Sequence, residues 1–122
     1  MHYKTNESNS TSYRQVIHGG EGEITRTSFF KDILKLPINF EVWELAPRVS
    51  EGNHTHEEDS GLEELSYFIK GEGIMWADGE EITVGAGDVF LAPKGSDHGL
   101  RNTGNSPLKL MIIWGKPSDL KT

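Results

Sequence analysis

The chain has no cysteine, which excludes disulfides, a thiol nucleophile and a thiolate zinc site, so any bound metal must be held by histidines and carboxylates. Long apolar runs are missing too: the longest, Leu110 to Trp114, falls far short of the roughly 20 residues that span a bilayer as a helix. No signal-peptide-like apolar stretch opens the sequence. There is no basic stripe either. Twelve Lys and Arg are scattered among 19 Asp and Glu, for a net charge of -7, and that field repels nucleic-acid phosphates and anionic lipid. Neither a Gly-x-Ser-x-Gly nucleophile elbow nor a phosphate loop is found, since Gly19-Gly20-Glu21-Gly22 is not followed by the required Lys and Ser/Thr. No 20–50-residue period repeats, which excludes a solenoid or propeller. The expectation is a cytoplasmic protein whose partner is a small molecule, with no nucleic acid and no membrane involved.

A chain of 122 residues is one domain. Leu, Ile, Val and Phe number 29, enough to fold, but the total hydrophobic content of 34% predicts a modest core and a homodimer that covers the remaining apolar surface. Residues 1–12, rich in Ser, Thr and Asn, read as a flexible N-terminal tail, and 13–122 as the folded domain. From Tyr13 onwards short apolar runs alternate with Gly, Pro and Asn turn signals, the pattern of an all-β sandwich or barrel. The clearest hairpin is Ile74–Ala77 and Ile82–Val84 around Asp78-Gly79, a dipeptide that tolerates the positive φ of a tight primed turn. Only Ser28–Leu36 has a helical stripe, with a strand and a turn as the alternative.

The chemistry concentrates in His54-Thr55-His56 and His98. Residues i and i+2 of a strand face the same side, so His54 and His56 can present both imidazoles to one metal ion. Glu64, which opens the apolar run Leu65–Ile69, is the best carboxylate to join them. If it points inward, Ser66 and Phe68 share its face and Glu63 points away.

With these residues the sequence resembles the cupin superfamily, small jelly-roll barrels marked by two motifs. The second motif, G-x5-P-x-G-x2-H-x3-N, is met by Gly87, Pro93, Gly95, His98 and Asn102. The first, G-x5-H-x-H-x(3,4)-E-x6-G, is met by His54, His56, Glu64 and Gly71, with 15 residues between Gly71 and Gly87. Two positions depart from it. Arg48 replaces the opening glycine, so that turn uses another conformation or Arg48 has a local role. Seven residues instead of three or four separate His56 from Glu64, which leaves Glu63 or Glu58 able to reach the metal in another register.

The resemblance covers about residues 40–114 and implies a double-stranded β-helix barrel. It also implies one divalent transition metal ion (Fe, Mn, Ni, Co or Zn) held by His54, His56, Glu64 and His98. The activity it implies is that of a dioxygenase-like or isomerase-like enzyme, or one of lyase type, acting on a small organic molecule, with a non-catalytic ligand sensor as the alternative. Catalytic side chains are not assigned. The acidic segment 57–63 reads as a solvated excursion, or else as a lid. Asn102 is expected to hold a loop, Trp43, Trp76 and Trp114 to pack the core or a dimer, and His2 and His18 to be ordinary surface residues. The directions of Tyr67 and Arg101 are left open.

Overall fold

The computed structural model describes residues 1–55 and 61–118. Ten strands follow one another: β1 (Ser12–Gln15), β2 (Ile24–Ser28), β3 (Asn39–Leu45), β4 (Ser50–Thr55), β5 (Glu63–Lys70), β6 (Glu72–Ala77), β7 (Glu80–Gly85), β8 (Val89–Ala92), β9 (Asp97–Asn102) and β10 (Leu108–Gly115). They pair antiparallel into a six-stranded sheet, in the order β1-β2-β3-β10-β5-β8, and a four-stranded sheet, β4-β9-β6-β7. The all-β jelly-roll barrel expected from the sequence is the fold found. No helix among the described residues is long and apolar enough to cross a membrane.

Alternation fills the space between the sheets. β3 buries Glu41, Trp43 and Leu45, β5 buries Ser66 and Phe68, and β10 buries Leu108, Leu110 and Ile112. Met75 and Leu100 of the smaller sheet meet them in the same core. Burying a side chain such as Phe68, which has 0% exposure, contributes about 2–3 kcal/mol. Trp43 and Trp114 belong to this interior or its edge, whereas Trp76 lies between the buried Met75 and Ala77 and faces outward.

The Asp78-Gly79 turn joins β6 to β7, with φ of 49° and 84° at its two central residues. Gly71 ends β5 with φ 88°, and a Cβ there would lie 2.5 Å from the Pro107 carbonyl oxygen, so conformation and space both require glycine. The Ser28–Leu36 stretch forms no helix. After β2 a single turn closes through Ile33 and Leu34 amides on the Phe30 carbonyl, because Pro37 and the start of β3 at Asn39 leave too few residues to propagate one. Ahead of β1, a 3-10 turn spans Glu7–Asn9, and the Glu7 carboxylate meets Lys109 Nζ at 2.7 Å.

Arg48 keeps the left-handed conformation that a glycine would adopt at this turn, with φ 70°. Its amide donates to the Asn102 carbonyl, and its own carbonyl accepts from the Arg101 guanidinium. An L-residue in this region costs roughly 1–2 kcal/mol, while glycine loses about 0.5–1 kcal/mol through unfolded-state freedom. Arg48→Gly is therefore expected to raise stability by up to about 1 kcal/mol in urea unfolding; a clear loss would show that the Arg48 side chain has an essential contact.

Candidate metal centre

β4, β5 and β9 bring the site together. In β9 the register pairs His98 with His54 across the small sheet, and alternation turns His98, Leu100 and Asn102 inward. In β5 the same alternation carries Glu64 to the inside, while Glu63 shares an outer hollow with Leu65, Leu91 and Ile113. This separates the two neighbouring carboxylates as the strand period requires. His54, Glu64 and His98 each offer a ligand atom within 4.8 Å of the others. His98 Nε2 lies 2.9 Å from Glu64 Oε2, and the His54 and His98 ring centroids are 4.3 Å apart. His56 and Glu58 lie outside the described residues, as does most of the acidic segment.

Both imidazoles are fixed in the same way from behind. His54 Nδ1 donates to the Gly52 carbonyl at 3.3 Å, and His98 Nδ1 to the Ser96 carbonyl at 3.4 Å. A carbonyl bond at Nδ1 sets the tautomer and leaves Nε2 as the atom available to a cation. Two nitrogens and a carboxylate oxygen at this spacing are a donor set suited to first-row divalent ions.

Two further residues belong to the cluster although no motif marks them. His18, expected on the surface, stacks on His54 with centroids 3.6 Å apart and planes within 13°. The Glu51 carboxylate lies 3.7 Å from His54 Nδ1 and 3.8 Å from His18 Nε2, and its Oε2 is buried without a hydrogen-bond partner among the described residues. The loop carrying His18 is pressed against β4 through Gly52 N to Ile17 O and Ser50 N to Glu21 O. A Cβ on Gly20 would meet the Ser50 oxygen at 2.0 Å, and one on Gly52 the His18 oxygen at 2.0 Å. The signal in the sequence is this pair of glycines, one beside His18 and one beside Glu51, which permits a backbone crossing that no other residue allows.

A second polar group lies on β2 and β3. Arg26 Nε donates to Glu41 Oε1 at 2.7 Å, which also accepts from Trp43 Nε1 at 2.7 Å, and the guanidinium lies over the rings of Tyr13, Trp43 and Trp114. Asn102 takes no part in the metal cluster: its amide donates to the carbonyls of Leu45 and Ser106 and its oxygen accepts from Gly104 N. Tyr67 is exposed on the outer face of β5, and Arg101 binds Glu21 and the Arg48 carbonyl.

Burial, reinforced by the Glu64 charge, pushes the Glu51 carboxyl up to about 8 against partial relief from His98 and Arg26. Burial, with His18 and His98 nearby, pulls His54 down to about 4. Burial also works against the charged form of His98, but the Glu64 hydrogen bond and charge, with help from Glu51 and the Ser96 carbonyl, outweigh it and raise its pKa. These shifts dictate how the metal-free protein responds to pH. Glu51 keeps its proton in the fold up to about 8 and loses it near 4.5 when unfolded, so over that window the folded state binds more protons and stability falls as pH rises. His54 acts oppositely between about 4 and 6.5, and the two offset each other there. Above pH 6.5 the His98 contribution is also lost as pH climbs through its raised folded pKa. Chelator-treated protein is expected to show nearly flat stability from pH 5 to 6.5, then a loss on the order of 2 kcal/mol by pH 8. Glu51→Gln should remove most of that loss in urea titrations, and an unchanged slope would assign it to another group.

The cupin-domain family model matches residues 41–114. The oxalate-binding protein of Thermotoga maritima is 31% identical over 99 residues, covering 80% of this chain and 79% of that protein. A crystal structure of a predicted oxalate decarboxylase from Thermotoga maritima superimposes with a TM-score of 0.86 at 29% identity, over 94% of this chain and 100% of that one. The polyketide cyclase RemF of Streptomyces resistomycificus shares the fold, with a TM-score of 0.81 at 16% identity over 98% and 83% of the two chains. The two motifs spaced along β4 to β9 thus fall within a family match that spans most of the barrel, and the chain belongs to the cupin domain family.

Proposed function

We propose that this cupin holds one divalent transition metal ion at His54, His56, Glu64 and His98 and uses it to bind and transform a small organic acid inside the barrel. The observation that carries the reading is the meeting of His98 Nε2 and Glu64 Oε2 beside His54, with both rings anchored through Nδ1 on backbone carbonyls. Held by these residues, such an ion would supply polarisation of substrate oxygens and activation of water or dioxygen, the chemistry of an oxygenase-like or isomerase-like enzyme. The chain's own groups set the surroundings: His18 and Glu51 back the His54 ring, Leu100 follows His98 on the buried face of β9, and the Arg26–Glu41 ion pair lies on β2 and β3. An anionic substrate would be favoured by the charge of the ion.

A second reading, binding without turnover, is favoured by the name of the Thermotoga maritima relative, an oxalate-binding protein. Calorimetric titration of the Mn(II)-loaded protein with oxalate and other small dicarboxylates, followed by assay of each bound acid for product, separates the two. Ligand consumed with multiple turnovers supports the enzyme; tight binding with no product over many hours supports the carrier or sensor. Failure of every metal-loaded form to bind a small acid would contradict both.

A further inference from the structure

His18 reaches the metal cluster at a conformational cost. Its backbone lies in the left-handed region, with φ 52°, as does that of Gly19 after it, with φ 71°. For glycine this is ordinary; for an L-residue it is strained, and such strain persists only where the surroundings hold it. Here they do. The Gly20 and Gly52 amides both donate to the Ile17 carbonyl at 3.1 Å, and a Cβ on Gly52 would lie 2.0 Å from the His18 carbonyl oxygen, so the turn is clamped onto β4 two residues before His54. The clamp delivers one contact, the stack of the His18 ring on His54 with centroids 3.6 Å apart. A glycine at position 18 would make the same turn, relaxed, without that ring.

The two described imidazoles of the centre differ in what fixes them. His98 has a short second anchor, the 2.9 Å contact of Nε2 with Glu64, besides its Nδ1 contact with the Ser96 carbonyl. His54 Nδ1 lies 3.3 Å from the Gly52 carbonyl, beyond the usual range of an N–H···O bond, and the Glu51 carboxylate at 3.7 Å is farther still. The stack supplies the second constraint. It also excludes a separate ion chelated by His18, Glu51 and His54, although their ligand atoms are close enough: nitrogen lone pairs lie in the ring planes, and two stacked planes 13° from parallel do not converge on one point. We propose that His18 is a positioning residue for the metal centre, its ring holding His54 in the binding orientation and presenting a π face to a His54 ring made electron-poor by ligation. This role rests on the metal reading above and extends it to a residue outside both motifs. It also accounts for the left-handed backbone: the fold loses stability at His18 and gains affinity for the ion.

The test is the affinity of the full chain for Mn(II), Co(II) and Zn(II), measured by competition with a chromophoric chelator for wild type, His18→Ala, His18→Gly and His18→Phe, with melting temperatures taken in EDTA. His18→Ala and His18→Gly are each expected to weaken binding about tenfold, the lower end of the range for groups that orient a ligand. His18→Phe keeps a ring on His54 without a nitrogen, at a side chain 43% exposed and so with room for the larger ring, and is expected to bind within about threefold of wild type. In EDTA, His18→Gly should melt within about 3 °C of wild type, because the strain it relieves offsets the contact it loses. Affinity then falls while stability holds, which a general loosening of the fold does not produce. Unchanged affinity in His18→Ala and His18→Gly overturns the positioning role and leaves the metal centre standing. A His18→Phe variant as weak as His18→Ala overturns the stack and assigns the effect to a nitrogen of His18, and a loss of affinity matched by a fall in the EDTA melting temperature overturns it as well. Wild-type protein that takes up none of the three ions overturns the metal reading, and this role with it.

Discussion

Replacing His98 with alanine is expected to lower divalent-metal affinity by well over a hundredfold. Changes to groups behind a ligand already cost 10–100-fold, and loss of a ligand costs more. The same change uncouples stability from metal. At metal concentrations about 1,000 times the dissociation constant, an ion bound only by the folded state adds about 4 kcal/mol, or roughly 12–20 °C in melting temperature for a domain of this size. His98→Ala should keep no more than about 1.4 kcal/mol of that increment at the same metal concentration, roughly 4–7 °C between samples with and without EDTA, while wild-type protein loses the whole of it on chelation. The proton position explains why the effect should also depend on pH. Without a cation, the 2.9 Å contact between His98 Nε2 and Glu64 Oε2 is bridged by a proton that an incoming ion must displace, so affinity falls as pH drops. A variant that keeps wild-type affinity would remove His98 from the ligand set.

Asn102→Leu should have a comparably large effect of the opposite kind. Asn102 is 1% exposed and holds three groups of the chain together: the Leu45 carbonyl at the end of β3, the Ser106 carbonyl and the Gly104 amide. Leucine leaves the three backbone groups without their partner, at about 1–3 kcal/mol for each that water cannot reach. A total near 4 kcal/mol, or about 12–20 °C in melting temperature, is expected by differential scanning calorimetry. Because Asn102 touches no residue of the metal cluster, the folded fraction should bind metal with unchanged affinity. A stable variant with weakened metal binding would reverse this assignment.

The parts of the molecule legible in the sequence are those governed by short-range rules. The period of two sends Glu64 inward and Glu63 outward, and Asp78-Gly79 makes the tight turn between β6 and β7. The motif spacing that marks His98 also marks Asn102, whose role in bracing the loop follows from its place at the end of β9. What was not legible depends on contacts between distant segments. His18 reaches His54 only because the Ile17–Glu21 loop docks on β4, and nothing in the spacing of residues 18 and 54 announces it. Glu51 follows a buried Ser50 on β4, and the same docked loop, bonded to Ser50 and Gly52, lies beside it. Arg48 is the inverse case: the family pattern indicated the turn, but only the fold shows that an arginine keeps the glycine conformation, braced by Asn102 and Arg101.

The central claim, a metal ion held inside the barrel, is tested most directly by elemental analysis of the protein purified without added metal and again after reconstitution with Mn(II), Fe(II), Co(II), Ni(II) or Zn(II). The account predicts about one equivalent of a transition metal per chain for at least one of these ions, absent from Glu64→Ala and His98→Ala. Less than about a tenth of an equivalent for every ion after reconstitution, in protein that is folded, would contradict it.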